Sequence, residues 1–236
     1  MNNPGGSDVF LLAMETSVHA CSVALYHQGH IYCDEVVAPR QQTQLLLPMI
    51  QSLLERCELR MQDLTHLAYS AGPGAFSGVR LSAAAVQGLA VALECPLLAI
   101  STLEVLAQGV RRMRNEDQVC VVTDARMNEV YAAAFVWESG IMKRIYEDRL
   151  CRIDDLPKLS GSWFLAGNGV GEQPVPFSLH GRDSSAMPSA QDVASLAVAR
   201  IEAGSITSPE QALPVYLRND VWKKMPGKNC RDARNE

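Results

Sequence analysis

At 236 residues with 47% hydrophobic content, the chain can bury a core of its own and suits one large domain or two small ones, which excludes general disorder. The formal charge is −5, but residues 214–236 hold six Lys or Arg against three acids, so the preceding body is strongly acidic and lacks the clustered cations of an autonomous, tight nucleic-acid binder. The opening MNNPGGSD carries no cationic or apolar signal, and no apolar run approaches the roughly 18 residues of a membrane span, so a soluble cytoplasmic protein without a membrane partner is expected.

The cysteines (Cys21, Cys33, Cys57, Cys95, Cys120, Cys151, Cys230) are scattered, odd in number and never at a C-x-x-C spacing. They read as reduced core or surface thiols, not as a disulfide framework or metal site.

Residues 9–15 form an apolar run ending in an acid. Residues 20–26 are a second β-rich run and, after the turn His27-Gln28-Gly29-His30, residues 31–37 a third, which predicts a β-meander. Pro39 breaks the pattern, and residues 43–57 follow with Leu45, Leu46, Leu47, Met49, Ile50, Leu53 and Leu54 wrapping most of a helix. So wide an apolar arc needs deep burial or a partner on a second face, and periodicity alone does not choose between a core helix and an interface helix.

A short strand at 66–70 feeds Gly72-Pro73-Gly74-Ala75-Phe76-Ser77-Gly78 and a helix from Val79 to residue 94. Glycines there permit positive φ and close backbone approach, and a helix N-terminus offers unpaired N–H groups to an anion. The spacing is not a Walker loop, because Gly78 is followed by Val79 and Arg80. The turn serves either to pack the helix on a sheet or to meet a ligand. Ala83, Ala84, Ala85, Gly88, Ala90 and Ala92 leave the helix surface bare enough for another helix to come close, and Gly88 costs about 1 kcal/mol of propensity, so its bareness calls for a packing reason.

A strand at 97–100 and a helix at 102–114, N-capped by Ser101 or Thr102, close the first half. Then the opening recurs: an apolar strand at 119–124 ends in an acid, strands at 129–137 and 141–149 flank the turn Glu138-Ser139-Gly140, residues 163–171 give a strand with a glycine-rich turn, and a helix at 192–203 stops at Gly204. Glu15 and Asp124 occupy equivalent places about 110 residues apart, which predicts a duplicated α/β domain. Acids at strand ends serve as turn or cap residues, or face a ligand crevice from both sides.

The stretches LLAMETSVHACSVALY, QTQLLLPM, YSAGPGAFSGVRLSAAAVQGLA, ISTLEVLAQG, VTDARMNEVYAA and PVYLRNDVWKKMPGK resemble, in order and nearly end to end, the TsaB family (older name YeaZ), paralogues of the TsaD/Gcp proteins. The string from Gly72 to Arg80 is the most specific of them. The resemblance implies two ribonuclease-H-like α/β lobes of the actin-like and sugar-kinase-like (ASKHA) superfamily: 1–110 with the glycine turn and the partner-binding helices, and 111–236 as a smaller lobe with a basic tail. It also implies a non-catalytic subunit that pairs with TsaD, is joined by the ATPase TsaE, and helps to form threonylcarbamoyladenosine next to the anticodon of tRNAs reading codons that begin with A.

The family interface lies on the first two helices, so Leu46, Met49, Ile50, Leu53, Arg80, Leu81, Ala84, Ala85 and Gly88 are the expected contacts, and the same face would serve a homodimer when TsaD is absent. Glu15, Thr16, Ser17, Gly72, Gly74 and Asp124 are the candidates for a weak nucleotide site, with ATP or ADP otherwise entering only through the assembled complex. Arg218, Lys223 and Lys224 are the candidates for a tRNA contact, against packing of the tail on the body or a plain solvated charge run. The chain departs from the family pattern at Glu15, where Asp is usual, at Gln42 and Thr43, where His and Ser or Thr are usual, at Ala75 and at Asn128.

The competing class is a nucleotide-dependent small-molecule kinase or ATPase of the same superfamily, framed by Glu15 and Asp124. Against it, neither acid-bearing turn holds a cation before Arg126 to neutralise phosphate charge. His19, His27, His30, His66 and His180 supply no H-x-x-x-H or H-E-x-x-H metal pattern, and Ser17 and Ser77 have no adjacent His-acid arrangement.

Overall fold

The computed structural model describes residues 9–205 together with Leu213, Val215, Leu217 and Arg218. β1 (Leu11–Glu15), β2 (Ala20–His27) and β3 (His30–Val37) form the expected antiparallel meander, and β4 (His66–Ser70) and β5 (Leu97–Ile100) add in parallel on the other side of β1. The order is β3-β2-β1-β4-β5. All five residues of β1 are buried, as an apolar strand covered on both faces requires.

The second sheet repeats the plan. β6 (Gln118–Asp124), β7 (Val130–Glu138) and β8 (Ile141–Cys151) are antiparallel, β9 (Ser162–Ala166) and β10 (Ser178–Asp183) are parallel additions, and the order β8-β7-β6-β9-β10 matches the first sheet strand for strand. This is the duplicated ribonuclease-H-like α/β plan. Glu15 closes β1 opposite Ser22, and Asp124 closes β6 opposite Val130. β10 was not anticipated, because SLHGRD has only one large apolar residue and a register shift at Leu179 to Gly181.

α1 (Gln42–Arg56) and α2 (Phe76–Leu93) cover one face of the first sheet, enclosing Leu12, Met14, Val23, Leu25, Leu67 and Tyr69. α2 begins three residues before the predicted start, since Ala75 is the last extended residue and Phe76 to Gly78 already form its first turn. It is eighteen residues long and, among the described residues, the one helix long and apolar enough to cross a membrane, which corrects the expectation that no segment approaches that length. Its small residues never read as a run in sequence, yet Val79, Ala83, Val86 and Ala90 are buried against the sheet.

The remaining helices cross over. α3 (Thr102–Arg114), N-capped by Ser101, which accepts from the Leu103 amide, follows β5 but packs on the second sheet, and α4 (Ala190–Glu202) follows β10 but packs on the first. Val110, the end of the expected first lobe, therefore lies inside α3, and the first sheet's second face comes from α4. Ser22 on β2 accepts from the Ala190 amide and docks the start of α4. The second sheet's other face carries Leu156 and Val170 from connecting segments, so this half has no counterpart of α1 and α2 among the described residues.

Buried charges fasten the two halves. Both Glu104 carboxylate oxygens on α3 accept from Arg200 on α4 at 2.8 Å, Arg144 on β8 stands 3.3 Å from the same carboxylate, and Arg112 on α3 meets the buried Asp192 on α4 at 2.8 and 2.9 Å. Burial raises the Asp192 carboxyl above its usual range, with Arg112 opposing the shift.

Candidate functional site

Which arc of α1 and α2 faces the sheet follows from the burial. On α1, Leu46, Met49, Ile50 and Leu53 lie in the core beneath the helix, Ile50 and Leu53 fully buried. The structure therefore removes these four from the expected contacts, since a side chain packed on the sheet cannot touch a partner without unfolding its own lobe. The outward row on α1 is Leu47, Pro48, Gln51, Ser52 and Glu55, with Leu47 59% exposed.

On α2 the expected residues divide differently. Leu81 and Ala85, with Leu89, are half-buried along the edge of the core. Phe76, Arg80, Ala84 and Gly88 follow one another at four-residue spacing on the outward face, and Val91 continues the row. The Arg80 guanidinium lies 3.5 Å from the Phe76 ring centroid. Val91 is 72% and Phe76 57% exposed, large values for apolar side chains, and they stand about four turns apart near the two ends of the helix.

A Cβ added to Gly88 would meet nothing within 4 Å. The chain's own packing gives no reason for a glycine there, in contrast to Gly78, whose added Cβ would stand 1.9 Å from the Thr16 carbonyl. The middle of the outward row is thus bare where an incoming helix would lie against it. Phe76, Leu47 and Val91 were absent from the expected contact set. Phe76 carried a signal, as the one bulky residue in an otherwise small glycine turn.

The glycine turn itself is filled from within. A Cβ on Gly74 would sit 2.7 Å from the Ser17 Cβ, the Ala75 amide donates to the Ser17 carbonyl at 2.8 Å, and Thr16 donates its hydroxyl to the Gly78 carbonyl at 2.7 Å. Gly72 (φ +104°), Gly74 and Gly78 let the chain after β1 press on the first turn of α2. Glu15 is fully buried there, accepting from the Ser17 amide, and its Oε2 meets no hydrogen-bond partner among the described residues. Burial pushes its pKa from 4.5 up to about 7, with neighbouring Ser17 and Ser70 lowering it only in part.

The second half mirrors this closure. Added Cβ atoms on Gly167 and Gly169 would stand 2.6 Å from the Val122 carbonyl oxygen and 2.8 Å from the Thr123 carbonyl carbon, and the Gly169 amide donates to the Val122 carbonyl. Asp124 is exposed, accepts from the Arg126 amide and pairs with the Arg126 side chain at 3.1 Å. Glu15, Thr16, Ser17 and Gly72 thus form a packed seam with Gly74 exposed at its rim, and the sealed Glu15 carboxylate does not fit a metal-bound nucleotide phosphate. Among the described residues no three His, Cys, Asp or Glu gather as a metal site would need.

Arg218 is committed to its own chain. Nη1 pairs with Glu129 at 2.7 Å and Nη2 donates to the Ala125 carbonyl at 3.0 Å, so at this residue the alternative of packing on the body is the arrangement found. Lys223 and Lys224 lie outside the described residues.

The family model described as tRNA N6-adenosine threonylcarbamoyltransferase (TsaD) matches residues 36–212. The tRNA threonylcarbamoyladenosine biosynthesis protein TsaB of Escherichia coli K12 is 36% identical over 229 residues, covering 92% of this chain and 99% of its own. The YeaZ structure from Pseudomonas aeruginosa matches with a TM-score of 0.84 at 39% identity, covering 89% of this chain and 100% of its own. A tRNA N6-adenosine threonylcarbamoyltransferase from Vesicomyosocius okutanii is 31% identical over 114 residues, which is 41% of this chain and only 33% of the transferase. The likeness to TsaB and YeaZ is end to end; that to the transferase is partial.

Proposed function

Because the chain belongs to the TsaB (YeaZ) family of tRNA threonylcarbamoyladenosine biosynthesis proteins, we propose that it serves there as a non-catalytic subunit that pairs with TsaD through α1 and α2. The observation that carries this reading is the outward row Phe76, Arg80, Ala84, Gly88 and Val91, with Leu47 beside it: an apolar, small-centred helix face built on a rigid sheet. TsaD performs the transfer of the threonylcarbamoyl group, and TsaE joins the assembled pair. The tRNAs served are those reading codons that begin with A, and tRNA reaches this chain through the complex. When TsaD is absent, a second copy of the chain covers the same face.

The chain's own residues supply positioning and no chemistry. The sealed Glu15 and the filled glycine turn favour this over a kinase or ATPase, which needs an ionised acid open to a metal-bound nucleotide. ATP or ADP belongs to the assembled complex, in cytoplasm. The test is size-exclusion chromatography of an equimolar mixture with TsaD: one heterodimer peak is expected, abolished by Ala84→Arg, and an unchanged peak for that variant would overturn the assignment of the face.

A further inference from the structure

Beneath the first turn of α2 lies a carboxyl group with nothing to neutralise it. Glu15 is fully buried and accepts from the Ser17 amide, while its Oε2 and the buried Ser17 hydroxyl both lack a hydrogen-bond partner among the described residues. The groups around it offer no countercharge. The strand ladder places Ser22 on β2 beside it and Glu35 on β3 beyond, the Cys21 thiol on β2 is pushed up to about 11 by burial, and Ser70 on β4 is a neutral neighbour. α4, which packs on the same strand, brings Asp192, already paired with Arg112, and the first turn of α2 carries no ionisable side chain. A buried carboxyl in such surroundings keeps its proton.

The two residues after Glu15 are the bed on which α2 starts. Thr16 donates to the Gly78 carbonyl at 2.7 Å and stands 2.5 Å from the Ser82 hydroxyl, the Ser17 carbonyl accepts from the Ala75 amide at 2.8 Å, and Gly78 lies so close to the Thr16 carbonyl that no Cβ fits between them. An ionised carboxylate at residue 15 needs water or further donors, and this closed contact admits neither unless residues 15–17 draw away from residues 75–78. That turn carries Phe76, on whose ring the Arg80 guanidinium rests at 3.5 Å, and so begins the outward row of α2.

We propose that the proton on Glu15 is a switch for the α1/α2 face: while it is held, the first turn of α2 stays seated with Phe76 and Arg80 placed for pairing, and its loss unseats the turn and weakens pairing. The switch rests on the assignment of that face to TsaD. Burial raises the Glu15 pKa from 4.5 to about 7, so the protonated fraction falls from about nine-tenths at pH 6 to about one-tenth at pH 8. Pairing through the protonated form alone is then about tenfold weaker at pH 8 than at pH 6.

On the free chain, the amides of residues 75–79 followed by NMR from pH 5.5 to 8.5 are expected to shift together with a midpoint near 7, and Glu15→Gln is expected to abolish that titration. With TsaD, the dissociation constant of the wild type divided by that of Glu15→Gln at the same pH, which cancels the ionisations of TsaD itself, is expected to rise about tenfold from pH 6 to pH 8. Amides that do not titrate, a titration that survives Glu15→Gln, or a flat ratio would overturn the proposal. Absence of pairing at every pH would overturn the assignment of the face instead, with the amide titration still deciding the switch. Should Glu15→Gln fail to fold, Glu35→Gln decides: it removes, at an exposed residue, the carboxylate that opposes ionisation of Glu15, so the midpoint moves to lower pH, and an unmoved midpoint would assign the titration to another group.

Discussion

Replacing Glu15 by Gln should make the fold's stability less dependent on pH, by an amount the structure sets. In the fold the carboxyl holds its proton to about pH 7, whereas in the unfolded chain it releases it near 4.5. Between those values the native state binds one more proton than the unfolded state, so stability falls as pH rises. The contribution is fully present below pH 4.5 and lost as pH passes 7, and a shift of that size amounts to about 3 kcal/mol. Glutamine keeps the size and the oxygen that accepts from the Ser17 amide but never ionises. Urea unfolding of both proteins from pH 5 to 8 isolates the group, because every other titrating side chain is common to the two. The variant should gain on the wild type steadily through this range and level off above pH 7. A difference that stays flat from pH 5 to 8 would refute the buried, protonated Glu15, and with it the seam that excludes a nucleotide.

Other perturbations separate the core from the exposed face. Ala84→Arg changes an exposed helix position and should alter stability by no more than about 0.5 kcal/mol while pairing with TsaD is lost, measured by thermal melting beside size-exclusion chromatography. Ile50→Asp places a carboxylate at a fully buried site and should cost about 4 kcal/mol or more, leaving the chain insoluble with or without TsaD; a soluble variant that only loses pairing would put α1 the wrong way round. Gly78→Ala drives a Cβ onto the Thr16 carbonyl and should cost about 3 kcal/mol or more, whereas Gly88→Ala, with open space around it, should stabilise the free chain by about 0.5 to 1 kcal/mol; equal effects in chemical denaturation would contradict the placement of the two glycines. Asp192→Ala leaves the half-exposed Arg112 without its buried partner and should cost about 2 kcal/mol in the same assay.

The strand plan was legible because alternation and turn chemistry are local. The repeat of strand, acid and meander gave the duplicated sheets, and Ser101 announced the start of α3. What was not legible depends on neighbours distant in sequence. The apolar residues of α1 span two arcs, and only the position of the sheet decides that Ile50 lies beneath the helix while Leu47 lies outside. An acid at the end of β1 reads as open to a crevice, yet the turn through Gly72, Gly74 and Gly78, some sixty residues later, seals it. The crossing of α3 and α4 is equally hidden, because a helix's apolar stripe does not say which sheet it covers. Arg218 looked like part of a basic tail since its partner, Glu129, lies 89 residues earlier.

The most direct measurement is a reconstitution of this chain with TsaD, TsaE, threonylcarbamoyl-adenylate, ATP and tRNA, scoring modified adenosine and complex size, alongside each protein alone. The expected result is modification that requires both this chain and TsaD, with this chain inert by itself toward ATP and tRNA. ATP turnover or phosphoryl transfer by this chain alone, or full modification without it, would contradict a non-catalytic subunit whose Glu15 is sealed and whose working surface is the α1/α2 face.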